Sequence, residues 1–250
     1  MSKDMISFGG GVNSTAMTIL LVNEGWRGPI VFADTGAEWP DTYCYMDAFE
    51  EQFLGPKGLK ITRIAPPSEY YTETKTQVSL EQYCREYRVT PLCSIRWCTA
   101  RWKVRPIARW MDKCGLDVKL LGLDAGEAHR IKNRNLEHYP LADRGIDRDG
   151  CKEIILGAGF ALPHKSSCFF CPFQRVHEWR ELWERYPELY ERASQVECMA
   201  GERVGRKVTF DCGQRWTLDE LREGRFQQQS ALTGFDWEAL REYQPCVCGL

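Results

Sequence analysis

Met5-Ile6-Ser7-Phe8-Gly9-Gly10-Gly11-Val12-Asn13-Ser14-Thr15-Ala16-Met17-Thr18-Ile19-Leu20-Leu21 passes from a short apolar run, through three glycines, into a segment with apolar residues at 16, 17, 19, 20 and 21. The pattern predicts a strand, a glycine turn and a helix, with Asn13-Ser14-Thr15 as the expected cap. Glycines let backbone approach an anion closely, and the first turn of a helix offers it unpaired N–H groups. Ser14 and Thr15 add hydroxyl donors. A plain tight turn before a capped helix is the simpler account of the same residues.

Working outward, 29–33 reads as a second buried strand ending at Asp34-Thr35-Gly36, and Pro40 opens a helix running to about Phe53. Residues 59–64 predict a third strand and 118–123 a fourth, followed by Asp124-Ala125-Gly126-Glu127. Strands alternating with helices imply an α/β fold: a parallel sheet with helices on both faces. Ligands of such sheets bind beyond the carboxyl ends of the strands, where the three post-strand segments should converge. From Ser166 the pattern changes. Residues 178–197 read as helix broken near Pro187, 207–210 and 214–217 as a small hairpin, and 236–243 as a last helix. The expected organisation is an α/β domain over 1–165, with 166–250 as a cysteine-pair and helical extension packed on it.

The 250 residues are 43% hydrophobic and 27% charged, with net charge −2. This is ordinary globular composition. It gives no support to whole-surface attraction to nucleic acid or anionic membrane, although a local basic patch is compatible with it. No apolar run approaches a membrane span and no signal-peptide pattern opens the chain, so a cytoplasmic protein without a membrane partner is expected. Twelve cysteines are then more plausible as metal ligands or redox groups than as disulfides. Cys44 and Cys114 lie in helix-like stretches and are expected in the core.

Gly10-Gly11-Val12-Asn13-Ser14 resembles the PP-loop, usually Ser-Gly-Gly-x-Asp-Ser, with Gly9 replacing the leading serine and Asn13 the aspartate. Residues 31–43, Val-Phe-Ala-Asp-Thr-Gly-Ala-Glu-Trp-Pro-Asp-Thr-Tyr, resemble the Asp-Thr-Gly…Pro-Glu-Thr-Tyr segment of sulfonucleotide reductases. Residues 121–130, Leu-Gly-Leu-Asp-Ala-Gly-Glu-Ala-His-Arg, resemble that family's segment after a late strand. The chain is thereby similar to the phosphoadenylyl sulfate reductases of the PP-loop superfamily. The resemblance implies that Ser7, Gly9, Gly10, Gly11, Asn13, Ser14 and Thr15 hold phosphate. It further implies that Asp34, Thr35, Gly36, Gly122, Asp124 and Glu127 line the nucleotide site, and that Arg130 reaches an anionic group. The nucleotide would be ATP, adenylyl sulfate or 3′-phosphoadenylyl sulfate.

Cys93 and Cys98 form one pair and Cys168-Phe169-Phe170-Cys171 another. Four thiolates suit tetrahedral zinc or a 4Fe-4S cluster, and a lone Cys-x-x-Cys also suits a redox dithiol. Residues 98–107, Cys-Thr-Ala-Arg-Trp-Lys-Val-Arg-Pro-Ile, resemble the Cys-Cys-x-x-Arg-Lys-Val-x-Pro-Leu segment of cluster-bearing reductases. Thr99 takes the second cysteine's place, which brings the spacing nearer the DNA-phosphorothioation branch. The resemblance implies a 4Fe-4S cluster on Cys93, Cys98, Cys168 and Cys171, with Cys84 and Cys151 in reserve.

Arg96, Arg101, Lys103, Arg105 and Arg109 interleave with Trp97, Trp102 and Trp110 without an acid among them. Such a stretch suits sulfate, phosphate or a nucleic-acid strand, or is a helix with core tryptophans and a solvated basic face. At the end, Cys248-Gly249-Leu250 resembles part of the family's Glu-Cys-Gly-Leu-His tail. Three functions follow. In the first, a reductase uses Cys248 as nucleophile, Lys103 and Arg130 on sulfate oxygens, and a thioredoxin-like reductant. In the second, an ATP-dependent sulfurtransferase thiolates tRNA or DNA. In the third, a nucleotide-binding iron–sulfur or zinc module performs no turnover.

Overall fold

The computed structural model describes residues 3–65, 78–131, 134–210 and 216–226. In chain order the elements are β1 (Asp4–Ser7), α1 (Val12–Asn23), β2 (Ile30–Ala33), α2 (Pro40–Phe49) and β3 (Ile61–Ile64). Next come α3 (Leu80–Tyr87), α4 (Trp97–Thr99), α5 (Arg105–Cys114), β4 (Val118–Leu121) and β5 (Glu137–His138). The described chain then runs through α6 (Pro140–Asp143), α7 (Arg148–Gly157), α8 (Val176–Arg185), α9 (Pro187–Val204) and α10 (Leu218–Glu220). A π-helical turn, Ala100–Val104, joins α4 to α5.

The five strands are all parallel, in the order β3-β2-β1-β4-β5. Alternate residues of a strand face opposite sides of a sheet, and the cores follow that rule. Ile6, Ile30, Phe32, Ile61 and Leu120 pack with residues of α1, α2 and α7 on one face. Met5, Val31 and Ala33 pack with Ile107 and Met111 of α5 on the other. Helices therefore cover both faces, as the α/β reading required. A further core joins Trp39, Leu80 and Trp102 to Phe169, Phe170, Trp179, Leu182, Tyr190 and Phe210. No helix among the described residues is long and apolar enough to cross a membrane.

Several local expectations are corrected. The cap of α1 is Gly11, without a side-chain cap bond. Asn13, Ser14 and Thr15 already lie inside the helix, and Ser14 Oγ donates back to the Gly11 carbonyl at 3.0 Å. The third strand starts at Ile61, because Leu59 N–H closes the preceding turn onto Leu54. Residues 207–210 and 216–217 form no strand. The N–H groups of Phe210 and Leu218 instead donate to the Glu197 carboxylate at 3.0 and 2.7 Å. Residues 211–215 of the expected hairpin, and the helix expected at 236–243, lie outside the described residues. Cys44 and Cys114 are exposed rather than core; among the described residues the buried ones are Cys84, Cys151 and Cys171. Cys44 falls on the solvent side of α2 and Cys114 ends α5.

Candidate functional site

The sheet order reverses between β1 and β4: the chain moves from β1 outward to β2 and β3, then returns to the other side of β1. Ligands bind at such switch points. A cleft, with about 800 Å³ of space counted out through its open mouth, lies there. Its walls are the ends of β1 and β4, the glycine turn, the start of α1, and Phe32, Lys103, Ile107, Leu123, Glu127 and Ser166. Two glycines permit this closeness. Gly10 has φ +73°, and a Cβ there would meet Thr42 Cγ2 at 2.9 Å. A Cβ on Gly122 would lie 2.9 Å from the Ser14 backbone nitrogen.

One wall is a buried polar network. Asn13 donates to Asp124 Oδ2 and Glu127 Oε2, both at 2.9 Å, and accepts from Arg148 at 2.7 Å. Asp124 also caps the turn that carries Glu127, through the Glu127 N–H at 3.1 Å. Arg130 pairs with Glu127. Two carboxylates, each about 3% exposed, are tolerated because the Asn13 amide and a backbone N–H serve Asp124, and the same amide with the Arg130 guanidinium serves Glu127. Asn13 thus supplies donors where an aspartate would add a third carboxylate.

The opposite wall leads to sulfur. Residues 37–39 and 167–169 run antiparallel, tied by Trp39 N–H to Ser167 O at 3.1 Å and Phe169 N–H to Ala37 O at 2.9 Å. This places Cys168 beside the Asp34-Thr35-Gly36 turn. Cys168 Sγ lies 3.2 Å from Thr35 Oγ1 and 3.8 Å from Glu38 Oε1. Glu38, its side chain wholly buried, also accepts from Thr35 at 3.0 Å and pairs with Lys103 at 3.1 Å. Cys84, Cys98 and Cys168 share one core with Trp39 and Trp102. Burial pushes all three thiols above the ordinary range, and Lys103 opposes this at Cys98 and Cys168. Cys93 is disulfide-bonded, with its sulfur 3.6 Å from the carbonyl oxygen of Pro172, which follows Cys171. Among the described residues no group of three or more His, Cys, Asp or Glu is arranged to hold a metal ion.

Ser7, Gly9, Gly11, Asn13, Ser14, Gly122, Glu127 and Lys103 line the cleft. Gly10 and Asp124 lie directly behind it, by the contacts given above. Asp34 holds its own turn, accepting from Gly36 N–H at 2.7 Å and Tyr43 OH at 2.6 Å. Thr35 belongs to the sulfur side. Thr15 is fully buried. Cys151 is packed in the core of α1 and α7, apart from the sulfur side, where burial pushes its thiol up to about 12. Cys246 and Cys248 lie outside the described residues. Sequence reasoning assigned no role to Glu38, Arg148 or Ser166. Glu38 stood inside the quoted Asp-Thr-Gly segment, but only a tertiary contact shows that it meets Cys168 and Lys103.

The phosphoadenosine phosphosulfate reductase domain family model matches residues 3–138. No curated protein matches the chain. Among solved structures, phosphoadenylyl-sulfate reductase from Candida auris in its phosphate complex is 15% identical, with TM-score 0.48 over 65% of this chain and 76% of that one. The U34-tRNA thiolase NcsA from Methanococcus maripaludis, with its 4Fe-4S cluster, is 16% identical, with TM-score 0.40 over 93% of this chain and 81% of that one.

Proposed function

Because the chain belongs to the phosphoadenosine phosphosulfate reductase domain family, we propose that it binds an adenine nucleotide in the switch-point cleft and carries out thiol chemistry on a sulfonucleotide. The observation that carries this reading is the position of Lys103. It lines the cleft and pairs with Glu38, which touches Cys168. One ammonium therefore stands between the nucleotide site and the sulfur side, where it can hold a sulfate or phosphate oxygen.

The adenosine occupies the apolar part of the cleft between Phe32, Ile107 and Leu123. Its phosphate meets the glycine turn and the first N–H groups of α1. In the reaction, the thiolate of Cys248, assigned from the tail motif, attacks the sulfate sulfur. The sulfur–oxygen bond to the nucleotide breaks, and its electron pair leaves on the phosphate. The enzyme S-sulfonate is then reduced by an external dithiol: sulfite departs, Cys248 returns as thiol, and the dithiol becomes a disulfide. Arg130 and Lys103 neutralise the leaving and transferred oxygens.

Cys93, Cys98, Cys168 and Cys171 would hold a 4Fe-4S cluster, thiolates being its usual ligands, with Cys93 required in its reduced form. When bound, the cluster supplies electrostatic or one-electron chemistry next to the nucleotide. Thr35 lies against Cys168, and Lys103 pairs with the Glu38 that touches it, so both would bear on the sulfur side of that group.

The deciding experiment is anaerobic purification with iron and acid-labile sulfide analysis, followed by titration with ATP, adenylyl sulfate and 3′-phosphoadenylyl sulfate. The expected result is tight binding of one sulfonucleotide and dithiol-dependent sulfite release, which Cys248→Ser abolishes while nucleotide binding persists. Sulfite release undiminished in Cys248→Ser, or no affinity for any adenine nucleotide, overturns the proposal.

A further inference from the structure

Two short sequence pairs place an aromatic ring next to a thiol: Tyr83-Cys84 on α3 and Trp97-Cys98 on α4. The fold turns each pair the same way. Cys84 and Cys98 are directed into the shared core. The rings of Tyr83 and Trp97 meet at 5.6 Å between centroids and pack on that same core, 5.0 and 6.0 Å from the buried Trp102 ring, while both remain partly exposed. Tyr87, one turn further along α3 and 37% exposed, extends the set at 4.5 Å from Tyr83. Arg101 lies 5.9 Å from the Tyr83 ring and 5.8 Å from Trp97, and donates to Tyr83 OH at 2.7 Å. The contact fixes the aromatic rings and sets a positive charge at their edge.

The charge pattern continues from there. Between Arg88 and Met111 the sequence carries six Arg or Lys and no Asp or Glu, in a chain whose net charge is −2. Arg101, Arg105 and Arg109 are spaced four residues apart along the helix running from α4 through the π-turn into α5. They form a stripe with about 6 Å of rise between successive residues, comparable to the repeat of an extended nucleic-acid backbone. Arg105 and Arg109 are exposed. Asp112 follows Arg109 by three residues, Lys103 is paired with the buried Glu38, and α3 carries two acids. Glu81 is buried and already engaged by Arg85 and Arg192, which leaves Glu86 as the exposed acid of that helix. An aromatic platform continued by an arginine stripe matches the way single strands are held, bases on rings and phosphates on guanidiniums.

We propose that Tyr83, Tyr87, Trp97 and Arg101 form a stacking platform for single-stranded nucleic acid, with Arg105 and Arg109 holding its phosphates. The surface goes beyond the sulfonucleotide reading and is tested apart from it, because binding is measured without nucleotide and cleft occupancy is measured separately.

The experiment uses the full chain and fluorescein-labelled single strands of RNA and DNA, with a duplex of the same sequence as control, followed by anisotropy over a salt series. Both single strands should bind more tightly than the duplex, with log affinity falling against log salt at a slope of about −2 for three phosphate contacts. Arg105→Ser/Arg109→Ser should flatten that slope by about 1.4, and Tyr87→Ala should weaken binding roughly tenfold. These positions are exposed, and circular dichroism checks that the variants fold. The salt slope of the unaltered chain tests the idea without any variant. No binding of single strands at about 100 μM protein in low salt, where even non-specific binders respond, overturns it. Equal affinity for the duplex also overturns it, as does capture of an acidic dithiol protein on the same residues in place of nucleic acid. Intact adenine-nucleotide binding alongside such a failure leaves the cleft reading standing.

Discussion

Replacing Gly122 with alanine places one methyl between the end of β4 and the first turn of α1. That carbon would lie 2.9 Å from the Ser14 nitrogen, and 3.0 Å from both the Asn13 carbonyl carbon and Ser14 Cα. Favourable carbon contacts are at about 3.5–4.0 Å, so strand end and helix start must part by roughly 0.5–1 Å. All three atoms are backbone, so no rotamer change relieves the clash. The helix start is also pinned, by Thr15 N–H to Gly11 O at 3.0 Å and by Asn13 to Asp124. Overpacking of this kind costs about 1–3 kcal/mol. In a chain of this length each kcal/mol lowers Tm by roughly 2–4 °C. The expected result is a Tm lower by about 2–12 °C. Adenine-nucleotide affinity should fall roughly tenfold or more, because the displaced turn is the proposed phosphate cradle. Gly157→Ala, where a Cβ meets nothing within 4 Å, is the control and should be neutral or slightly stabilising. Thermal unfolding by circular dichroism and equilibrium nucleotide titration read both quantities. A Gly122→Ala protein with unchanged Tm and unchanged affinity would refute the claim that this contact shapes the cleft.

Lys103→Met leaves the buried Glu38 carboxylate without its partner, so stability should drop by about 3–5 kcal/mol and nucleotide affinity should fall with it. Adding Glu38→Gln should recover stability but not affinity, and recovery of both would contradict the proposed role of Lys103. Burial raises the Glu197 carboxyl to about 7, with further raising from Asp219 and Glu220, while the Leu218 and Phe210 N–H groups hold it down. Between about pH 4.5 and 7 the folded form keeps a proton that the unfolded chain has lost, so stability should fall as pH rises through that window, by on the order of 3 kcal/mol. Glu197→Gln should flatten this dependence in urea titrations at several pH values; a slope unchanged from the parent protein counts against it. Exposed Cys44, Cys114 and Cys198 should react quickly with an aromatic disulfide reagent, while Cys84 and Cys151 should react only on unfolding. Rapid native-state labelling of Cys151, read by mass spectrometry, would contradict its placement in the core.

The sheet and its crevice were legible because their signals are local. The apolar run before Gly9, the Asp34-Thr35-Gly36 turn and the Gly122 segment each mark a strand end, and a parallel sheet gathers strand ends on one side. Strand β5 was not legible: Glu137–His138 is two residues long and carries no apolar pattern. The hairpin expectation failed because a carboxylate on α9 takes the N–H groups that a partner strand would have used, and no local pattern encodes that. Exposure of Cys44 and Cys114 was missed for a related reason. A cysteine's place on a helix face depends on which side the helix packs, and α2 and α5 each bury one stripe. Among the site residues, Lys103 was found from its motif. Glu38, Arg148 and Ser166 emerge only when segments more than a hundred residues apart in the chain are brought together.

The core around Trp39 and Trp102 has a consequence for what counts as a unit of this protein. The matched segment ends at residue 138, yet both tryptophans, fully buried, share one core with rings supplied from beyond residue 165. Cut after the sheet, the chain would present two indoles and Leu80 to water and lose Ser166 from the rim of its crevice. The sheet and the half that follows it thus share one buried seam, and neither could be cut free of the other without opening it.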